Sequence, residues 1–185
     1  KYIKTNNKKK INAIQNKSFE LSLFLSLPAS LALLVGSQEI TSALFGYGAF
    51  DSVSVNNSAK ALFYFAIGLP AFAIIKVFST FLFARDNTKS PFYFSLISVL
   101  VNISISILFF EKIGFIIIPI ATSISSWLNA FLLFFKLSKN DYFKLKNILN
   151  ISNLKIVLIS IISIYSFYIL TNIFEKYLAY NSELK

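Results

Sequence analysis

The chain has no cysteine, no histidine and no methionine among its 185 residues, one tryptophan, five glycines and four prolines. Each absence removes a class of function. Without cysteine there is no disulfide framework, no catalytic thiol and no cysteine-based metal site; without histidine the common neutral-pH general base and metal ligand is gone. Acidic residues are scarce as well, eight in all. Those near helix ends, Glu20, Glu39, Asp51, Asp86, Glu111 and Glu175, are scattered along the chain. An intramembrane phosphotransferase would need carboxylates in a cluster, so an enzyme is not expected. The missing initiator methionine reads as the mark of a piece cut from a longer protein.

Charge is the next scarcity. Only 14% of residues are charged, against about 25% in soluble domains, while 56% are hydrophobic and 17% aromatic. Mean hydropathy is +0.66. Such a chain cannot cover itself with polar surface in water, and an integral membrane protein is expected. A crossing helix needs about 20 residues to span roughly 30 Å of hydrocarbon. Five apolar stretches meet that length, at about 21–45, 61–84, 92–110, 114–135 and 154–174. Period-two alternation is absent, and backbone polar groups must be paired in lipid, so helices are expected and a barrel is not. The first span carries Pro28 and is interrupted by Gln38 and Glu39 near its far end, where LVGSQEITSALF reads as an amphipathic extension. Pro70 and Pro119 also fall inside spans and predict bends there.

The net charge of +10 is distributed as a topology signal, not as a nucleic-acid footprint. Lysines 1, 4, 8, 9, 10 and 17 precede the first span, Arg85 and Lys89 lie between the second and third, and Lys136, Lys139, Lys144, Lys146 and Lys155 lie between the fourth and fifth. Only Lys60, Lys112, Lys176 and Lys185 fall on the other side. The bias places residues 1–19 and 136–153 in the cytoplasm and the tail 175–185 outside. No signal peptide is visible.

One cation belongs to neither side. Lys76 lies nine residues before Arg85 within the second span, about 13 Å deep in a straight helix. It either snorkels or faces a wet cavity, where an ammonium favours an anionic ligand. The stretch ARDNTKSP, with Arg85, Asp86 and Lys89, reads as a tight cytoplasmic turn closed by Pro91 at the start of the next helix. Polar residues recur deeper: Asn102 and Ser106 one turn apart, then Thr122, Ser123, Ser125, Ser126 and Asn129. They serve either as interhelical glue or as side-chain oxygens of a cation site.

Taken in order, several pieces resemble the MurJ/MviN family of bacterial lipid II flippases. They are the LP of SLPAS, then LFGYGAFD, ALFYFAIGLPAF, the KV of IIKVF, the F-x-x-AR-x-x-x-K-S-P turn, and ATS with WLNA, over residues 20–135. The resemblance implies an all-α polytopic protein of the inner membrane, placed at about helices nine to thirteen of fourteen. The four spans of 20–135 would belong to the C-terminal lobe of a multidrug/oligosaccharidyl-lipid/polysaccharide (MOP) type alternating-access exporter, facing an N-terminal lobe that this chain lacks. It implies transport of lipid II, an undecaprenyl-pyrophosphate-linked precursor, from inner to outer leaflet. A related exporter of another polyprenyl-linked oligosaccharide or of drugs is the alternative. Lys76 would line the substrate cavity. Arg85, Asp86 and Lys89 would form a cytoplasmic gate, with Arg85 pairing to Asp86 or to the other lobe. The fifth span would line a groove for the lipid tail. Na+ or the membrane potential would drive the cycle; some members bind sodium through an Asn and an acidic residue one turn apart plus a Thr. Asn102 and Thr122 match, and Ser106 stands where that pattern has a carboxylate.

Overall fold

The computed structural model describes residues 8–182. Lysines 1, 4 and 185, and the Glu175 and Lys176 side chains, lie outside what is described. The described residues are helical throughout, joined by short turns. The helices are α1 (Lys8–Val35), α2 (Ser37–Phe45), α3 (Ser52–Phe83), α4 (Lys89–Ile113), α5 (Ile117–Lys139), the single turn α6 (Leu145–Ile148) and α7 (Ile151–Ser182). Four apolar helical runs are long enough to cross a membrane, the third spanning Lys89–Lys139. Its 51 residues would make a rod of about 76 Å, more than twice the hydrocarbon thickness. The run instead folds back on itself. Gly114 takes φ +74°, a conformation open to glycine and strained for other residues, and a short 3-10 turn at Gly114–Ile116 completes the reversal. α4 and α5 therefore form an antiparallel hairpin, so among the described residues five helices are each long and apolar enough to cross.

Three boundaries differ from the sequence reading. The first span is two helices, not one: α1 ends at Val35 and α2 begins at Ser37. The break is at Gly36, where a Cβ would sit 3.0 Å from the ring of Phe167 on α7. The basic segment from Lys8 onward is continuous with α1, not a separate surface element, and it already buries Gln15 and Phe19. The loop expected over 136–153 is shorter, because Lys136 and Lys139 lie in the last turn of α5, where cations favourably oppose the helix dipole. Pro119 need not bend its helix. It is the third residue of α5, in the first turn, where amide donors have no intrahelical partner anyway.

The spanning helices pack in a row, α7 on α1, α1 on α3, α3 on α5 and α5 on α4. α3 is the centre of the row, and Pro70 shows how it holds its neighbours. Proline has no amide hydrogen, so the carbonyl of Ala66 loses its helical donor. Ser30 of α1 supplies one, its hydroxyl donating to Ala66 O at 2.6 Å. The next carbonyl, Ile67 O, accepts the indole N–H of Trp127 on α5 at 3.0 Å, and Ser123 of α5 donates to Tyr64 O. Gly68 permits the α3–α5 approach: a Cβ there would lie 2.8 Å from Ser123 Oγ and 3.1 Å from its Cα.

At the basic end, aromatic rings seal the row. Phe19 of α1 stacks on Phe78 of α3 with centroids 5.7 Å apart. Phe143, from the segment after α5, wedges against Phe19, Phe78 and Phe81. Asp141 at φ +56° turns the chain so that Phe143 can enter, and its carboxylate pairs with Lys144 at 2.8 Å.

Gly68→Val should force α3 and α5 apart and lower the unfolding free energy by about 1–3 kcal/mol, the usual range for overpacking. Thermal unfolding in detergent, followed by Trp127 fluorescence, checks this.

Candidate functional site

The row leaves α3 and α4, neighbours in sequence, barely touching along their length. A groove of about 960 Å³ opens between the last two turns of α3 and the first two of α4. Ile75, Lys76, Ser79, Thr80 and Phe83 line one wall; Thr88, Lys89, Pro91, Phe92, Tyr93 and Ser95 line the other. Lys76 and Lys89, which the sequence places in different roles, thus face one space. Both are exposed. The groove is mostly apolar around two ammonium groups and several hydroxyls, an arrangement that suits an anionic head attached to an apolar body.

The turn between the helices is built residue by residue. Asp86 adopts φ +58°, a left-handed conformation that aspartate tolerates better than most residues. Asn87 then accepts the Ser90 amide at 3.1 Å, capping α4 and leaving Pro91 in its first turn. Arg85 turns away from the groove. Its guanidinium donates to Phe81 O at 2.6 Å and lies 4.2 Å from the centroid of the Tyr142 ring. The surrounding donors and acceptors orient the buried Gln15 amide so that its nitrogen donates to Tyr142 O at 3.0 Å and its oxygen accepts from Arg85 at 3.2 and 3.3 Å. Burial lowers the Arg85 pKa and Tyr142 opposes that shift; the group remains a cation at neutral pH.

Arg85 therefore joins three basic segments, α1, the α3–α4 turn and the α5–α6 connection, at one end of the bundle. That meeting agrees with the topology read from charge. The expected Arg85–Asp86 pair is not formed among the described residues, because Arg85 is engaged by a carbonyl, an amide and a ring while Asp86 stays exposed. Gln15 and Tyr142 were not singled out from the sequence, since nothing local marks two residues 127 positions apart as partners of one arginine.

Deeper in the bundle, Asn102 and Thr122 do come together. Asn102 Nδ2 donates to Thr122 Oγ1 at 3.0 Å and lies 3.4 Å from Ser125 Oγ, while Thr122 donates to Ile118 O at 2.8 Å. Here the amide presents its nitrogen to the hydroxyls, the pattern of interhelical glue. Ser106 joins neither residue; its hydroxyl is buried and has no hydrogen-bond partner. Among the described residues no group of three acidic, histidine or cysteine side chains converges. Glu39 is exposed in the first turn of α2, where its charge favours the helix N-terminus.

The family model described as "Lipid II flippase MurJ" matches residues 1–185, the whole chain. Curated relatives named "Probable lipid II flippase MurJ" include those of Rhizobium meliloti (strain 1021), 42% identical over 121 residues, covering 65% of this chain and 23% of the relative, and of Rhizobium tropici, 38% identical over 140 residues, covering 76% and 26%. That of Rickettsia prowazekii (strain Madrid E) is 34% identical over 134 residues, covering 72% and 26%. The chain thus spans about a quarter of the length of these relatives. A solved structure titled "Lipid II flippase MurJ, inward closed conformation" superposes with a TM-score of 0.76 at 31% identity, covering 89% of this chain and 34% of that one. These names favour the flippase over the related exporter.

Arg85→Leu should cost about 2 kcal/mol of stability, the range for a hydrogen-bonded charge that leaves its partners unpaired. Limited proteolysis should then cut near Lys139–Lys146 faster than in the parent. Arg85→Lys, which keeps charge but not the fork, should recover only part of the protection.

Proposed function

Since the chain belongs to the MurJ family of lipid II flippases, a family of multi-pass transporters of the bacterial inner membrane, we propose that it supplies five helices of a lobe that moves lipid II across that membrane for cell-wall synthesis. The observation that carries the reading is the groove shared by Lys76 and Lys89. A pyrophosphate cannot enter hydrocarbon unaided, because desolvating its charge is prohibitive. Ammonium groups on the wall of a wet groove replace water around such a head, while the prenyl tail stays in lipid. Chemistry on the substrate is not required, so the role is that of a carrier, not a catalyst.

In this reading Lys76 meets the head group within the membrane and Lys89 meets it at the inner mouth. The turn of Arg85, Asp86 and Lys89 is the cytoplasmic gate, with Arg85 as its fixed point and Lys89 as its moving charge. The partner lobe closes the open side of the groove, and α7, packed on α1, carries the lipid-tail surface. The driving force is the membrane potential or Na+. Asn102 and Thr122 would offer oxygens to the ion, and Ser106 brings no negative charge to hold it.

Expression of the complete transporter in cells depleted of their own lipid II flippase tests the proposal. The parent should restore growth, and Lys76→Ala, at equal abundance, should not. Rescue by both would reduce Lys76 to a snorkelling residue, and failure of a well-expressed parent would contradict the flippase reading itself.

A further inference from the structure

A second, smaller chamber of about 250 Å³ lies between α3, α4 and α5. Carbon makes up most of its lining surface, but apart from Phe72 and Val99 every lining residue carries a polar group: Ser95, Ser98 and Asn102 from α4, and Thr122, Ser125, Ser126 and Asn129 from α5. On α4 the spacing from Ser95 to Ser98, Asn102 and Ser106 is three, four and four residues, which keeps all four on one helical face. Ser95 also lines the Lys76–Lys89 groove, so it stands where the two spaces meet.

We infer that this chamber is a water-filled branch of the groove, carrying hydration from the inner mouth along the polar face of α4 to the Asn102–Thr122 pair. Three observations support it. Asn129 is only 7% exposed; its amide nitrogen reaches Ser95 at a long 3.4 Å, and its carbonyl oxygen is buried without a partner. A buried amide oxygen of that kind is stable only if something donates to it. Ser98 and Ser126, 6% and 5% exposed, spend their hydrogens on backbone carbonyls of their own helices, Phe94 O and Ser123 O. Their oxygens remain as acceptors facing the chamber. Finally, the space is large enough for several waters, and the Asn129 carbonyl and the serine oxygens on its walls supply polar partners of the kind a buried water needs. No carboxylate lines the chamber, so neutral water is the ligand its chemistry fits.

X-ray radiolytic footprinting tests this, because hydroxyl radicals form from the bound waters themselves and no reagent has to enter. The chain has no cysteine of its own, so an introduced thiol is a clean reporter. In the complete protein in lipid nanodiscs, Ser98→Cys and Ser126→Cys, near-isosteric changes, should be oxidised about tenfold faster than Leu133→Cys, a fully buried position in the apolar core one turn beyond Asn129. Phe78→Cys serves as a second dry reference. Oxidation at both serine sites no more than twofold above the dry references would overturn the inference. Because the readout is oxidation and not transport, the result is independent of whether lipid II is the cargo.

Discussion

The structure depends on what happens to the backbone carbonyl that Pro70 leaves without its helical donor, Ala66 O, in the middle of an apolar span. In water an opened helix turn is solvated at little cost. In hydrocarbon each unpaired group costs several kcal/mol, so the protein must provide donors. Ser30 of α1 meets Ala66 O; beside it, Trp127 of α5 adds a donor to Ile67 O, whose helical donor, the Ala71 amide, the proline does not remove. The opened turn thereby fixes α1 to α3, and the indole bond beside it fixes α5. Gly68, two residues before the proline, removes the side chain that would keep α5 away. A sequence feature that looks like a flexible joint is, in this bundle, the place where three helices are tied.

The rest of the arrangement follows. With α3 held to α1 and α5, α4 pairs with α5 through the Gly114 reversal and leans away from α3. The gap between α3 and α4 becomes the groove with Lys76 and Lys89 on its walls. The basic end of this gap is fixed by Arg85, which binds α1 through Gln15 and the α5–α6 connection through Tyr142, and by Phe143 packed among Phe19, Phe78 and Phe81. A gap whose walls are set by folding spares a bound charged group part of the cost of ordering its site.

Much of this was legible in the sequence because the bilayer constrains it so strongly. Span number and helix type follow from length and hydropathy, and the meeting of the basic segments at one end of the bundle follows from the lysine asymmetry. The encounter of Asn102 with Thr122 also follows, since a short connection forces their helices into a hairpin. What was not legible involves partners distant in sequence. The role of Arg85 rests on Gln15 and Tyr142, which no local pattern joins. The close approach of Gly36 to Phe167 of α7 is one such contact, and the true extent of α1 shows in the burial of Gln15 and Phe19. The polar face of α4 is an intermediate case: the positions of Ser95 and Ser98 extend the Asn102–Ser106 pair at helical spacing, yet both serines are submerged in an apolar run and read as filler without the cavity beside them.

A double-mutant cycle between Ser30 and Pro70 tests the central claim most directly. Ser30→Ala in the parent background should lower the unfolding free energy by about 1 kcal/mol, within the range for polar contacts between membrane helices. In a Pro70→Ala background residue 70 regains its amide, the Ala66 carbonyl is satisfied within α3, and Ser30→Ala should then cost little or nothing. The account predicts a coupling close to the full cost of the single substitution. Equal losses in the two backgrounds would contradict it, and would mean that Ser30 contributes by packing alone and that α3 is held to α1 by something other than its opened turn.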